Sequence, residues 1–176
     1  MVKKIAVVLA WTIVVLEAIA FFLPKKELYY LAERYMERLG AIVSGEEASD
    51  YGWLLSIKDA AISYDNTEAA KTAQVALITT IFYNELSIET IELSDALASI
   101  APPRVDFLKA RYTIFVPHKI FLSGEGEIGA AAGWIDLFAR KIRVVINVPS
   151  EIQQKYGQIF ATLEKTSEGF VYERDF

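Results

Sequence analysis

The run from Ile5 to Leu23 constrains this chain more than any other feature: 17 of its 19 residues are apolar, Thr12 and Glu17 being the exceptions. As a helix it spans roughly 28 Å at ~1.5 Å per residue, close to the ~30 Å hydrocarbon core of a bilayer. Lys3 and Lys4 precede it, Lys25 and Lys26 follow it, and the charge bias favours an inward N-terminus only slightly. The reading is a cytoplasmic tip over 1–4 and a transmembrane anchor over 5–23, with Ile5, Leu9, Trp11, Leu16 and Phe22 as anchor residues. Glu17 sits at a costly depth, which implies a place near the outer interface, a proton, or a partner helix. A cleaved signal peptide competes, because Ala18-Ile19-Ala20 is an A-x-A site behind an apolar core of signal length. Glu17 just before that site and Phe21-Phe22 just after it count against cleavage. Either reading sends the rest of the chain across a membrane; in a bacterium that means an inner-membrane, single-pass protein with its C-terminal part in the periplasm.

With residues 1–26 set aside, the remaining 150 residues are half hydrophobic and carry 14 basic against 22 acidic side chains, a net −8 where the whole chain is −5. That length suits one domain. The acidic balance excludes nucleic acid as a partner, since counterion release needs clustered lysine and arginine. No cysteine is present, so disulfides, thiol nucleophiles and thiolate metal sites are excluded. A lone histidine argues against a histidine-built metal site. No metal or cofactor is expected.

Residues 24–40 read as an amphipathic helix. Leu28, Leu31, Tyr35 and Leu39 recur at helical spacing between charged residues, and Gly40 supplies a stop. Over 41–176 the texture becomes short alternating runs: 41–43, 53–57, 60–64 before the turn signal Asp65-Asn66, 73–82, a turn at Asn84-Glu85, then 86–93 and the break Ala101-Pro102-Pro103. Longer runs follow over 105–116, 119–128 and 141–148. Pro149-Ser150 introduces a short helix over 151–163, and 170–173 forms a last edge strand. Period-two strands adjacent in sequence imply an antiparallel sheet with one buried face. The fold class is therefore mainly β (α+β): a transmembrane helix, an amphipathic helix, then a curved antiparallel sheet with a short C-terminal helix.

Gly124-Glu125-Gly126-Glu127-Ile128-Gly129 matches the dinucleotide fingerprint G-x-G-x-x-G. It fails on chemistry: Glu125 and Glu127 oppose a pyrophosphate, and no ribose-binding acid ends the next strand. Glycines alternating along a strand, where neighbours approach closely, are the better account. Gly129-Ala-Ala-Ala-Gly133 fits the small-xxx-small helix pattern but lacks an apolar 20-mer, so a bend of small residues is expected. His118 follows Val116-Pro117 and belongs in a turn, with no nucleophile or orienting acid assigned to it. Glu125/Glu127 and Glu89/Glu92 read as solvated strand charges, and Arg140-Lys141-Arg143 as a solvated turn or a membrane- or partner-facing patch. No catalytic residue emerges.

The order of features resembles a known pattern. It runs Leu23-Pro24, then Arg38-Leu39-Gly40 into Ala41-Ile42-Val43-Ser44, then Leu54-Leu55-Ser56-Ile57-Lys58-Asp59-Ala60-Ala61-Ile62-Ser63. Next come Ala76–Phe82 with Leu86–Leu93, and last Leu122-Ser123-Gly124-Glu125-Gly126 with Gly133-Trp134-Ile135-Asp136-Leu137. The chain resembles the AsmA-like superfamily, in particular short members related to type II secretion system protein N. That resemblance implies a trough-shaped antiparallel sheet with an apolar concave face, held at the inner membrane, without catalytic residues. It also implies phospholipid or another acyl-chain lipid as cargo and envelope export or secretion proteins as partners. The chain departs from the pattern in length: eight strands at ~4.8 Å reach only roughly 38 Å. A membrane-anchored jelly roll of the lipopolysaccharide-export bridge type is a structural rival.

The expected working surface is the apolar face carrying Tyr112, Ile114, Ile120, Leu122, Val144 and Ile146, as a lipid-binding trough. The competing account of those residues is an ordinary core packed under the two helices. A structural assembly subunit, acting through its sheet edges or Glu17, is the rival function.

Overall fold

The computed structural model describes residues 2–65, 67–98 and 102–176. The apolar run forms α1 (Val2–Phe22), a helix with no buried residue, long and apolar enough to cross a membrane by length and composition. Pro24 separates it from α2 (Lys25–Arg38). Lys25 is 3% exposed at this elbow, and its Nζ donates to the carbonyls of Ala20 (2.6 Å) and Leu23 (3.2 Å). A cation there serves the carbonyls that a helix end leaves without partners and complements the helix dipole. The Lys25 backbone N–H donates to Asp50 Oδ2 at 2.9 Å, and Asp50 Oδ1 accepts the Gly52 N–H at 3.0 Å. The elbow is thereby tied to the sheet. α2 ends at Gly40, whose φ of +87° is the left-handed stop.

The strands are β1 (Ala41–Ser44), β2 (Glu47–Asp50), β3 (Leu54–Tyr64), β4 (Thr67–Thr79), β5 (Tyr83–Leu93), β6 (Arg104–Thr113), β7 (Lys119–Gly126), β8 (Gly129–Asp136), β9 (Lys141–Asn147), β10 (Glu164–Thr166) and β11 (Gly169–Asp175). Short helices α3 (Asp95–Ala98), α4 (Ser150–Lys155) and α5 (Gly157–Phe160) interrupt them. All strands join one open, curved antiparallel sheet in the order β1-β3-β4-β5-β6-β7-β8-β9-β11-β10, with β2 pairing the upper half of β3 and β1 the lower half. The mainly antiparallel fold class expected from the alternation is the observed one.

Several details differ from the sequence reading. The runs 53–57 and 60–64 are one strand, β3. The turn expected at Asn84-Glu85 lies earlier, where the Thr80 hydroxyl accepts the Tyr83 N–H at 3.0 Å, so Asn84 and Glu85 are strand residues. The small-residue stretch expected to bend is β8, held on both sides by β7 and β9. The C-terminal helix is in two pieces, α4 and α5. The last strand is not an edge, because β11 pairs with both β9 and β10. Asn66 of the Asp65-Asn66 turn and Ala101 of the Ala-Pro-Pro break lie outside the described residues.

One irregularity sets which side chains share a face. Lys58 pairs Gln74 and Ala60 pairs Thr72; Gln74 then pairs Glu89, Thr72 pairs Ile91, Glu89 pairs Phe107 and Ile91 pairs Val105. The skipped residues Asp59, Ala73, Thr90 and Asp106 thus form a level across four strands, and Asp59 and Thr90 have φ of 55° and 53°. At β7 the extra residue ends as a register shift, Val105 opposite Gly126 and Phe107 opposite Glu125. A bulge residue normally flips the alternation of one strand. Here four neighbours flip together, so Ala60, Thr72, Ile91 and Val105 lie on the same side as Gly126.

Candidate functional site

Two cross-strand rows run the width of the sheet on one face. Leu55, Leu77, Leu86, Ala110, Leu122, Gly133, Val144 and Tyr172 are successive partners, and so are Ile57, Val75, Ile88, Leu108, Gly124, Ala131, Ile146 and Phe170. A third row continues toward one strand end through Thr79, Asn84, Tyr112, Ile120, Ile135 and Ile142. Sixteen positions in two rows without one charged or polar-only side chain make a continuous apolar field.

The helices cover only its two borders. α2 stands on the β1–β3 side, where Leu28, Tyr29, Ala32 and Met36 face Val43, Leu55, Ile57, Val75 and Leu77 across a cleft of ≈ 420 Å³. At the far border α4 and α5 bring Tyr156 and Phe160 onto Phe170, with Ile128, Val148, Ile152 and Leu163 around them. Between the borders a second cleft of ≈ 300 Å³ is lined by Leu86, Ile88, Leu108, Ala110, Leu122, Ala131 and Val144, and it meets the first at Leu86. Both volumes fall in the range of small-molecule sites, and each lining is dominated by aliphatic carbon. In mid-sheet Leu86 stays 40% exposed and Leu108 41%. Among the described residues no large side chain is fully enclosed.

The structure brings together five of the six residues assigned from sequence: Tyr112, Ile120, Leu122, Val144 and Ile146 share the grooved face. Ile114 lies just past β6 in the turn at the strand ends, where its N–H donates to the Phe82 carbonyl at 3.1 Å. The anchor residues Ile5, Leu9, Trp11, Leu16 and Phe22 are all exposed on α1. Of the centre of the groove, Leu108 and Ala110 share the face of Tyr112 by alternation in the sequence, whereas strict alternation neither joins Leu86 and Ile88 to them nor sets α2 as a wall. The signal was the recurring spacing Leu86-x-Ile88-x-x-Ile91 and Val105-x-x-Leu108-x-Ala110, one residue longer than strict alternation.

Polar groups at the groove are few. The Tyr29 hydroxyl is buried at the α2 wall without a hydrogen-bond partner. Burial, and then the nearby carboxylates of Glu46 and Glu33, push its pKa up to about 12, so it stays a neutral donor. His118 stacks on Phe138 (centroids 5.9 Å apart) in the turn before β7. Among the described residues no group of three or more histidine, aspartate or glutamate side chains is placed to hold a metal ion.

The opposite face carries most of the sheet's charges, while Arg174, opposite Ile142, stands at the end of the third row on the grooved face. Glu85 Oε2 accepts from the Tyr83 hydroxyl and from Arg111 Nε at 3.1 Å, and Lys141 pairs with Glu173. The Tyr83 hydroxyl, and after it Arg111, hold the Glu85 carboxyl below its ordinary value of 4.5, although burial pulls the other way. The folded state therefore favours the carboxylate more than the unfolded chain does. Its contribution is complete above that ordinary value and is lost as pH falls through the depressed one. Thermal unfolding followed from pH 7 to pH 3 is expected to show a falling midpoint below about pH 4.5, in part removed by Glu85→Gln; an unchanged pH profile in Glu85→Gln would refute the role of this triad.

Comparison of the chain with known protein families, with characterised proteins and with solved structures returns no match.

Proposed function

We propose that this chain is a non-enzymatic, membrane-anchored protein whose grooved sheet face holds the acyl chains of a lipid. In this reading α1 stays uncleaved in a bacterial inner membrane and the sheet stands in the periplasm, where it serves envelope lipid transfer or protein secretion. The observation that carries it is the open apolar field. A protein rich in hydrophobic residues, with half-exposed leucines in mid-sheet and helices only at the borders, leaves area uncovered at a cost of about 25 cal/mol per Å². An acyl chain recovers that cost and needs no polar partners, which suits a groove with almost none. The Tyr29 hydroxyl offers one hydrogen bond to an ester or headgroup oxygen at the α2 wall.

The sheet borders weigh against an assembly role through added strands. β1, β2 and β10 are three or four residues long, and the part of β11 left without an outer partner, Tyr172–Asp175, carries Glu173, Arg174 and Asp175. Short, charged edges are how sheets avoid accepting another strand.

A photoreactive side chain at Leu122 in the full chain, illuminated in native membranes, is expected to capture lipid, seen as a mass increment on the intact protein. The same group at Ser123, on the other face, is expected to capture none. Capture of protein alone at Leu122 would transfer the groove to the assembly reading.

A further inference from the structure

The strand ends differ sharply between the two ends of the sheet. One end gathers the turns after β2, β4, β6 and β8, together with the C-terminus. Its exposed side chains include Trp53 (47%), Phe82 (38%), Phe115 (81%), Phe138 (81%) and Phe176 (58%). At the other end the turns carry Asp65, Glu127 and Glu168, with Glu68 at the start of β4 and Glu151 in the first turn of α4, and Tyr64 is the exposed large ring among the described residues there. The two most exposed phenylalanines are held outward by ordered turns. The Asp136 carboxylate accepts the N–H groups of Phe138 (3.0 Å) and Ala139 (2.8 Å), and the Thr113 hydroxyl accepts that of Phe115 (3.4 Å).

α1 meets the sheet at this same aromatic end through contacts near its own C-terminus. Glu17 Oε1 accepts the Ile81 N–H at 3.3 Å, and the Phe21 ring meets Trp53 edge-on at 4.8 Å. Glu17 lies five residues before the end of the apolar helix, about 8 Å along its axis. The turn after β4 is therefore level with a point inside the apolar span, not beyond its end. A backbone N–H that reaches a carboxylate at that depth also removes part of the cost of placing Glu17 there.

We infer that this aromatic rim is a membrane-docking surface, bedded in the headgroup layer of the bilayer that α1 crosses. Aromatic side chains favour that layer, where an apolar ring meets water at one edge. Turns on one end recur every second strand, about 10 Å apart, so Trp53, Phe82, Phe115 and Phe138 form a line of contacts along the membrane plane. The sheet then stands with its strands upright and its groove reaching the lipid surface, which sets one route by which an acyl chain enters. This inference rests on the anchor reading of α1, not on lipid occupancy of the groove.

The chain has no cysteine, so single labels are unambiguous. Leu9→Cys, Phe115→Cys, Phe138→Cys and Glu168→Cys would each carry an environment-sensitive fluorophore on the full chain in phosphatidylcholine–phosphatidylglycerol vesicles containing a nitroxide high on the acyl chain. The labels at 115 and 138 are expected to lose emission roughly two-fold, as for groups seated ~5–10 Å into the boundary, while the label at 168 keeps its emission. Labels at 115 and 138 that behave like the one at 168, with the label at 9 quenched, would overturn the rim and leave the anchor. A label at 9 that is not quenched would overturn the anchor reading and the rim with it.

Discussion

Gly133→Val is expected to destabilise the sheet by about 3 kcal/mol and to lower the thermal midpoint by roughly 6–12 °C, the shift that a chain of this size shows for such a loss. Gly133 lies between Leu122 and Val144 in the first apolar row. Even one added carbon would sit 2.2 Å from the Arg143 carbonyl oxygen and 2.8 Å from the Val144 Cα. Both obstacles are backbone, so no side chain can rotate away, and β8 must separate from β9 to admit the new group. Ala132→Val, one residue along the same strand and exposed on the other face, is the control: a β-branched residue there should change stability by no more than ~0.5 kcal/mol. Equal midpoints for the two variants would show that β8 and β9 are not packed as described.

The same glycines show how far local sequence reaches. Gly124 and Gly126 were legible as strand residues because β7 alternates Ile120, Leu122, Gly124 and Gly126 against bulkier and charged residues. Close approach is what the structure shows, with Leu108 Cδ2 2.6 Å from where a Cβ of Gly124 would stand. β8 was not legible. Gly129-Ala-Ala-Ala-Gly133 has no β-branched residue and poor strand propensity, and it is extended because β7 and β9 supply partners on both sides. α1 and α2 needed only local information, an uninterrupted apolar run and a helical period, and both are helices over those stretches; the face of α2 differs, because Leu31, Tyr35 and Leu39 stay exposed while Tyr29, Ala32 and Met36 turn to the sheet.

The groove was half legible for a related reason. Strict period two correctly grouped Tyr112, Ile120, Leu122, Val144 and Ile146, all in stretches without a slip. It reached Leu108 and Ala110, which alternate with Tyr112, but did not join Leu86 and Ile88 to them, because Ile91 falls out of phase with those two in β5, as Val105 does with Leu108 in β6. The phase is restored by Asp59, Thr90 and their neighbours at one level of four strands. A β-branched threonine at positive φ is unfavourable alone and persists when the surrounding ladder fixes it. No single strand contains that information, since the slip makes sense only when the strands are set side by side.

Leu108→Asp is expected to separate a ligand groove from a protein core. Leu108 is 41% exposed, leans over Gly124 and has no helix above it, so a charge there reaches water when the groove is empty. The empty protein should lose no more than ~1 kcal/mol. A core leucine in the same exchange would lose at least ~3–5 kcal/mol, because the carboxylate would be enclosed without a partner. Toward an acyl chain the effect reverses in size. An aspartate set against hydrocarbon costs about 2.5–3.5 kcal/mol, which lowers acyl-chain affinity about a hundredfold. The measurements are the unfolding midpoint of the full chain and lipid capture by a photoreactive group at Leu122 in the Leu108→Asp background. Ser123→Asp on the opposite face should leave both unchanged. A large loss of stability in Leu108→Asp would mean that another element closes over the sheet, whereas retained stability with lost capture is the behaviour of a surface built to be covered by lipid.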